Sequence, residues 1–213
     1  MDLKQYKKVG AVIAMESEAE PILKAIPLKK IAEKPFVIYN EKNLYVIVSG
    51  VGTLSAAMAA SYLISVVGCD ALVNFGVCGY TGKEAWHGIL FSVEKAFKRD
   101  VDCTLLGYEK YAYPHESAFL TLPRDEELPA CDLYTSDEFI GKESDVPKGV
   151  LVDMEGYSVA YAANRYNVPC YLYKSVCDST DENVDRANYD SKLDGAIVGM
   201  EEYINKMFID YLA

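Results

Sequence analysis

The chain has 213 residues, 51% hydrophobic and 25% charged, with a formal net charge of −11; that length suits one domain with a full core. No apolar run reaches the roughly 18 residues of a membrane-crossing helix, and the acidic balance opposes a phosphate backbone, so neither membrane nor nucleic acid is an expected partner. Met1 to Lys8 lacks the apolar core and small-residue cleavage site of a secretory signal, so cytoplasmic residence is expected.

Val9 to Ala14 is a continuous apolar run of buried-strand type, and the acidic stretch after it, Met15 to Ala25, opens as a helix amino terminus prefers. Phe36 to Tyr39 and Leu44 to Ser49, joined by the polar Asn40 to Asn43, predict an antiparallel hairpin. Gly50-Val51-Gly52 precedes a predicted helix from Thr53, its candidate cap, to Val67, with Gly68 as the stop. Ala71 to Phe75 and Ile89 to Val93 have strand length and composition. Ala96 to Pro129 mixes charges, tyrosines and prolines without a clean period and is expected to hold strand ends and a long functional or interface loop. Tyr134 to Ser136 is a candidate short strand, Glu155 to Tyr166 a helix closed by Asn167 and Pro169, Cys170 to Cys177 a buried strand, and Asp190 to Leu212 an amphipathic terminal helix.

Strands alternating with helices, plus one hairpin, predict an α/β three-layer sandwich with a mixed, mostly parallel central sheet flanked by helices. No repeat, low-complexity tract or Pro/Gly/Ser linker divides the chain, so residues 1–213 are expected to form a single domain. The six cysteines lack CxxC spacing, and four lie in or beside apolar segments, which favours buried thiols over bridges or zinc ligands. No metal or cofactor is expected.

Polar groups gather at predicted strand ends in four places: Glu16 and Glu18, Gly50 to Thr53, Asn74 to Gly79, and the pair Glu155 and Asp178. Asp178 follows a predicted buried strand, where open α/β sheets bind ligands. Each place has an ordinary explanation: an acidic helix start complements the helix dipole, and an aspartate after a strand often caps a turn. Gly50-Val51-Gly52 lacks the third glycine and the lysine of phosphate-binding fingerprints.

In order and spacing, Ala14-Met15-Glu16-Ser17-Glu18, Ser49-Gly50-Val51-Gly52, Asn74 to Gly79, Val152-Asp153-Met154-Glu155-Gly156 and Ser175 to Asp178 resemble the purine nucleoside phosphorylase and nucleosidase superfamily, above all the methylthioadenosine/S-adenosylhomocysteine nucleosidases. The resemblance runs nearly end to end. It implies cleavage of a purine nucleoside's N-glycosidic bond through a ribosyl transition state of oxocarbenium character, which asks for carboxylates in different protonation states. By resemblance Asp178 is the general acid at purine N7, its pKa raised by burial. Glu155 accepts hydrogen bonds from the ribose hydroxyls and, ionised throughout, stabilises the ribosyl cation, with Met154 packed on the sugar. Glu18 orients and deprotonates the attacking water, Glu16 being less well aligned. Phe139 stacks on the purine and the Ile140 backbone reads its edge, unless the two are plain loop hydrophobes. The Val77 to Gly79 stretch lies near the nucleophile and sugar. The expected partner is thus a small-molecule purine nucleoside; a homo-oligomer, dimer or hexamer, is expected as in relatives, and the apolar, tyrosine-rich loop from Tyr108 to Phe119 is a candidate interface.

Departures from the family bear on the chemistry. The four arginines, Arg99, Arg124, Arg165 and Arg186, avoid the glycine turn and the Asn74 segment, where phosphorylases hold phosphate with an arginine and a serine. Water is therefore favoured over phosphate as nucleophile. Val77 replaces the nucleosidases' usual serine, and Lys174 replaces a common arginine, which puts the 5′-substituent in question. The alternatives are a phosphate-dependent phosphorylase and a non-catalytic purine-nucleoside-binding protein of the same fold.

Overall fold

A computed structural model describes residues 1–82, 86–140, 145–180 and 186–213. The elements in chain order are β1 (Val9–Ile13), α1 (Glu16–Ala25), β2 (Lys29–Ala32), β3 (Val37–Glu41), β4 (Leu44–Val48), α2 (Thr53–Tyr62), β5 (Ala71–Tyr80), β6 (Leu90–Lys98), β7 (Phe119–Thr121), β8 (Ala130–Thr135), β9 (Leu151–Asp153), α3 (Gly156–Arg165), β10 (Cys170–Ser179) and α4 (Arg186–Leu212).

The apolar run of β1 is buried along its whole length because helices cover both of its faces. Val9, Ala11 and Ile13 turn to one core with Ile22 of α1 and Met200, Ile204 and Phe208 of α4, while Val12 turns to the other with Ala56 and Ala60 of α2 and Val159 and Ala163 of α3. Small residues let α2 and α3 lie close to the sheet, giving the three-layer α/β sandwich.

β4, β1, β5 and β10 run parallel, and β3 and β2 extend this edge antiparallel. β2, which the sequence pattern does not reveal, is a mostly exposed edge strand. On the other side β10 pairs antiparallel with β6, β6 runs parallel to β8, β8 to β9, and β9 returns antiparallel to β5. Since β10 also pairs with β5, the strands β5, β10, β6, β8 and β9 close into a small barrel.

This closure explains the length of β5 and β6, which run past the predicted Phe75 and Val93 to Tyr80 and Lys98. The Ala96 to Pro129 segment supplies the end of β6, the short β7 and connecting loops. α2 begins at Thr53 with Gly52, at φ 104°, in the cap position; Thr53 is thus the first helical residue and not the cap. A π-helical turn, Leu63–Val67, continues α2, and Gly68 ends it in the left-handed conformation. All six cysteines are free thiols, with Cys69, Cys78, Cys170 and Cys177 buried. Among the described residues no helix is long and apolar enough to cross a membrane.

Candidate active site

The carboxyl ends of β1, β5, β9 and β10 and the amino ends of α1 and α3 surround a cavity of about 400 Å³, large enough for a small organic ligand. Glu18, Val77, Gly79, Phe139, Ile140, Met154, Glu155 and Asp178, widely separated in sequence, all line it. Glu16 is exposed on the outer face of α1. Lys174 does not line the cavity: it is buried, its Nζ 2.8 Å from Asp153 Oδ2.

Glu18 sits in the first turn of α1, 3% exposed. Its Oε2 accepts the Met15 amide at 3.0 Å, closing the helix start, and its Oε1 accepts the Val77 amide at 2.8 Å. A Cβ on Gly76 would lie 2.7 Å from Oε1, so glycine there permits the approach. Burial pushes the Glu18 carboxyl above the usual glutamate value, against the lowering by both amides and by the Lys174 charge.

Glu155 occupies the cap position of α3 and reaches across the sheet, its Oε1 accepting the Gly52 amide at 2.8 Å. The next α2 amide, Thr53, donates to Asp137 Oδ1 at 2.8 Å, and the Thr53 hydroxyl donates to Asp137 Oδ2 at 2.5 Å. Burial, then the negative charge of Asp153, pushes the Glu155 carboxyl up to about 7. A cation developing beside Glu155 works against this upward push and favours its ionised form.

Asp178 owes its aim to an irregularity. β10 slips against β5 between Val176 and Asp178, a bulge that re-aims the side chain at a strand end, and Asp178 is left buried and facing the cavity. Opposite it, Ile140 is buried, while Phe139 is 53% exposed and packs edge-on to Tyr189 of α4 with ring centroids 5.8 Å apart. Arg99 spans this segment, its guanidinium donating to Glu138 Oε2 at 2.6 Å and to Asp145 Oδ1 at 3.0 Å.

Asp153, Tyr189 and Val51 also line the cavity, and sequence reasoning singled out none of them. Asp153 was detectable, being two positions before Glu155 in the same motif. Tyr189 carries no local signal, since only the packing of α4 brings it to the cavity. No group of three or more His, Cys, Asp or Glu among the described residues is placed to hold a metal.

The molecule is thus a mixed-sheet α/β sandwich with a carboxylate-lined cavity at its strand ends. The chain belongs to the phosphorylase superfamily, whose family model matches residues 8–131. It is 24% identical to the 5′-methylthioadenosine/S-adenosylhomocysteine nucleosidase of Buchnera aphidicola subsp. Baizongia pistaciae, over 85% of this chain and 82% of that protein. It is 26% identical to the aminodeoxyfutalosine nucleosidase of Campylobacter jejuni, over 84% of this chain and 88% of that one. Its fold matches that of a Helicobacter pylori nucleosidase mutant solved with 5′-methylthioadenosine in the active site, with a TM-score of 0.85 at 19% identity, covering 95% of this chain and 98% of the other.

Proposed function

We propose that the protein hydrolyses the N-glycosidic bond of a purine nucleoside of the 5′-methylthioadenosine or S-adenosylhomocysteine type, releasing the free base. Its named relatives are nucleosidases, and the cavity joins four buried carboxylates, Glu18, Asp153, Glu155 and Asp178, in unlike surroundings. Asp178 shares its proton with purine N7 so that the base departs neutral. Glu155 accepts from the ribose hydroxyls and stabilises the ribosyl cation more than the neutral substrate. Glu18, turned up from α1 against β5, takes a proton from the attacking water. Phe139 and Ile140 hold the base, Met154 packs on the sugar, and Val77 and Gly79 form the floor beside them.

One observation favours water over phosphate. The backbone amides suited to cradling an oxyanion here, those of Gly52, Thr53 and Val77, each already donate to a carboxylate of the chain itself, Glu155, Asp137 and Glu18. A phosphate dianion would have to displace these carboxylates and then sit among them, a repulsive and poorly solvated arrangement. Incubation with 5′-methylthioadenosine, S-adenosylhomocysteine, adenosine and inosine, with and without phosphate, tests this. Base release independent of phosphate is expected; release only with phosphate replaces the hydrolase by a phosphorylase, and tight binding without turnover replaces it by a binding protein.

We further propose a homo-oligomer. Val51 lines the cavity and is 51% exposed, and Leu54 and Met58 continue outward from it along α2 at 79% and 61%. A second copy on this face would shield the cavity mouth, and light scattering on the eluting protein measures its mass.

A further inference from the structure

The cavity floor buries more negative charge than the reaction described above uses. Around Glu18 and Glu155 stand Cys78 on β5, Asp153 on β9, Asp178 on β10 and Tyr189 on α4, with the exposed Glu138 and Arg186 at the rim. Lys174 is the cation buried beneath them, and its side chain is 2% exposed. Carboxylates this crowded cannot all remain ionised without a counter-charge.

Asp153 is built to hold that charge in place. Its Oδ2 meets Lys174 Nζ at 2.8 Å and accepts the Gly156 amide at 2.8 Å; its Oδ1 accepts the Thr135 hydroxyl at 2.5 Å, and Thr135 Oγ1 in turn accepts the Tyr157 amide at 2.9 Å. Asp153 thus ties Lys174 to the first turn of α3, where Glu155 begins, and a Cβ on Gly156 would lie 2.9 Å from its Oδ2. A buried ion pair with every oxygen engaged is costly to break, so the ammonium is fixed.

We propose, on the basis of the hydrolase assignment, that Lys174 and Asp153 are a positioning pair: Lys174 touches no substrate, and its ammonium, anchored by Asp153, sets the charge balance that lets Glu18 and Glu155 work as anions. The electrostatics agree with the geometry. Burial opposes the Lys174 ammonium, but Asp153, Glu155 and Glu18 together hold its pKa above the usual lysine value, and Lys174 in turn pulls Glu18 and Glu155 down while Asp153 pushes both up.

The two members of the pair therefore act on the pH profile with opposite sign, which a merely structural role would not. In Lys174→Met the acid limb of kcat/KM on 5′-methylthioadenosine moves to higher pH by about one unit; in Asp153→Asn it moves to lower pH; Lys174→Arg, which keeps the charge, restores the wild-type position. Carbon-13 NMR titration of the Glu18 and Glu155 carboxyls reads the same displacements without turnover. A wild type that releases no base then overturns the hydrolase assignment alone, whereas limbs and titrations that stay put, or move the same way in both variants, overturn the pair's role. If Lys174→Met does not fold, Asp153→Asn decides by the same criterion. If neither folds, nitrogen-15 NMR of the wild type decides: Lys174 protonated through pH 9 supports the proposal and a neutral amine below it overturns it.

Discussion

Asp125 on one hand, and Glu18 and Glu155 on the other, are all closed off from solvent, yet their carboxyls behave in opposite ways. Asp125 is 3% exposed; its Oδ2 lies 2.9 Å from the Met1 ammonium and also accepts the Tyr203 hydroxyl, and Oδ1 accepts the Glu127 amide. Burial pushes its carboxyl up, but these partners outweigh burial and hold it below the usual aspartate value. Glu18 and Glu155 lie deeper among protein atoms and have fewer donors, and burial wins. A carboxylate that spends all its acceptors on the protein is a fastening. One buried at the edge of a cavity is held ready for a ligand.

The contrast breaks most sharply at Asp178. Asp178→Asn is expected to lower kcat by about 10³-fold or more while 5′-methylthioadenosine still binds, measured by turnover and calorimetry, because the proton is needed as the bond breaks. Near-normal turnover removes Asp178 from the acid's role. Glu18→Gln should cost about 10²-fold in kcat; its single carbonyl oxygen keeps an acceptor for only one of the Met15 and Val77 amides, so about 1 kcal/mol of stability is lost with it.

Asp125→Ala should do the reverse, lowering unfolding free energy by about 3 kcal/mol in denaturant titration with kcat per folded molecule unchanged. A changed kcat would erase the distinction between fastening and working carboxylates.

The pH dependence of stability sharpens it further. A depressed aspartate stabilises the fold above its unfolded pKa and loses that contribution as pH falls through the folded value, so Asp125 matters at acid pH. Glu155, raised to about 7, binds its proton more tightly folded than unfolded, so its contribution is present in acid and is lost as pH rises from about 4.5 to 7, by up to about 3 kcal/mol. Glu155→Gln should flatten that part of the stability curve. The smallest effect is expected at the α2 start, where Thr53→Val removes one hydroxyl bond to Asp137 and costs about 1 kcal/mol.

Much of the chain was legible. The β1 run, the β3–β4 hairpin, the small-residue helices and the Gly68 stop are written in local periodicity and turn chemistry. β9, only Leu151–Asp153, was not, because a three-residue strand has no period of its own and exists by pairing with β5 and β8. The lining residues that carry motif resemblance were legible too, whereas Lys174 was expected at the substrate and stands behind Asp153.

By itself the sequence determined that β1 is a buried strand, and that Glu18, Glu155 and Asp178 follow or precede elements of the right kind, because apolar runs and helix-start chemistry are local. Only the tertiary structure decided that β5 and β10 close a barrel with β6, β8 and β9, that a bulge turns Asp178 inward, and that Asp153 claims Lys174. It also decided that burial pushes the Glu155 carboxyl up. Burial and charge depend on what packs around a group, and those neighbours come from distant parts of the chain.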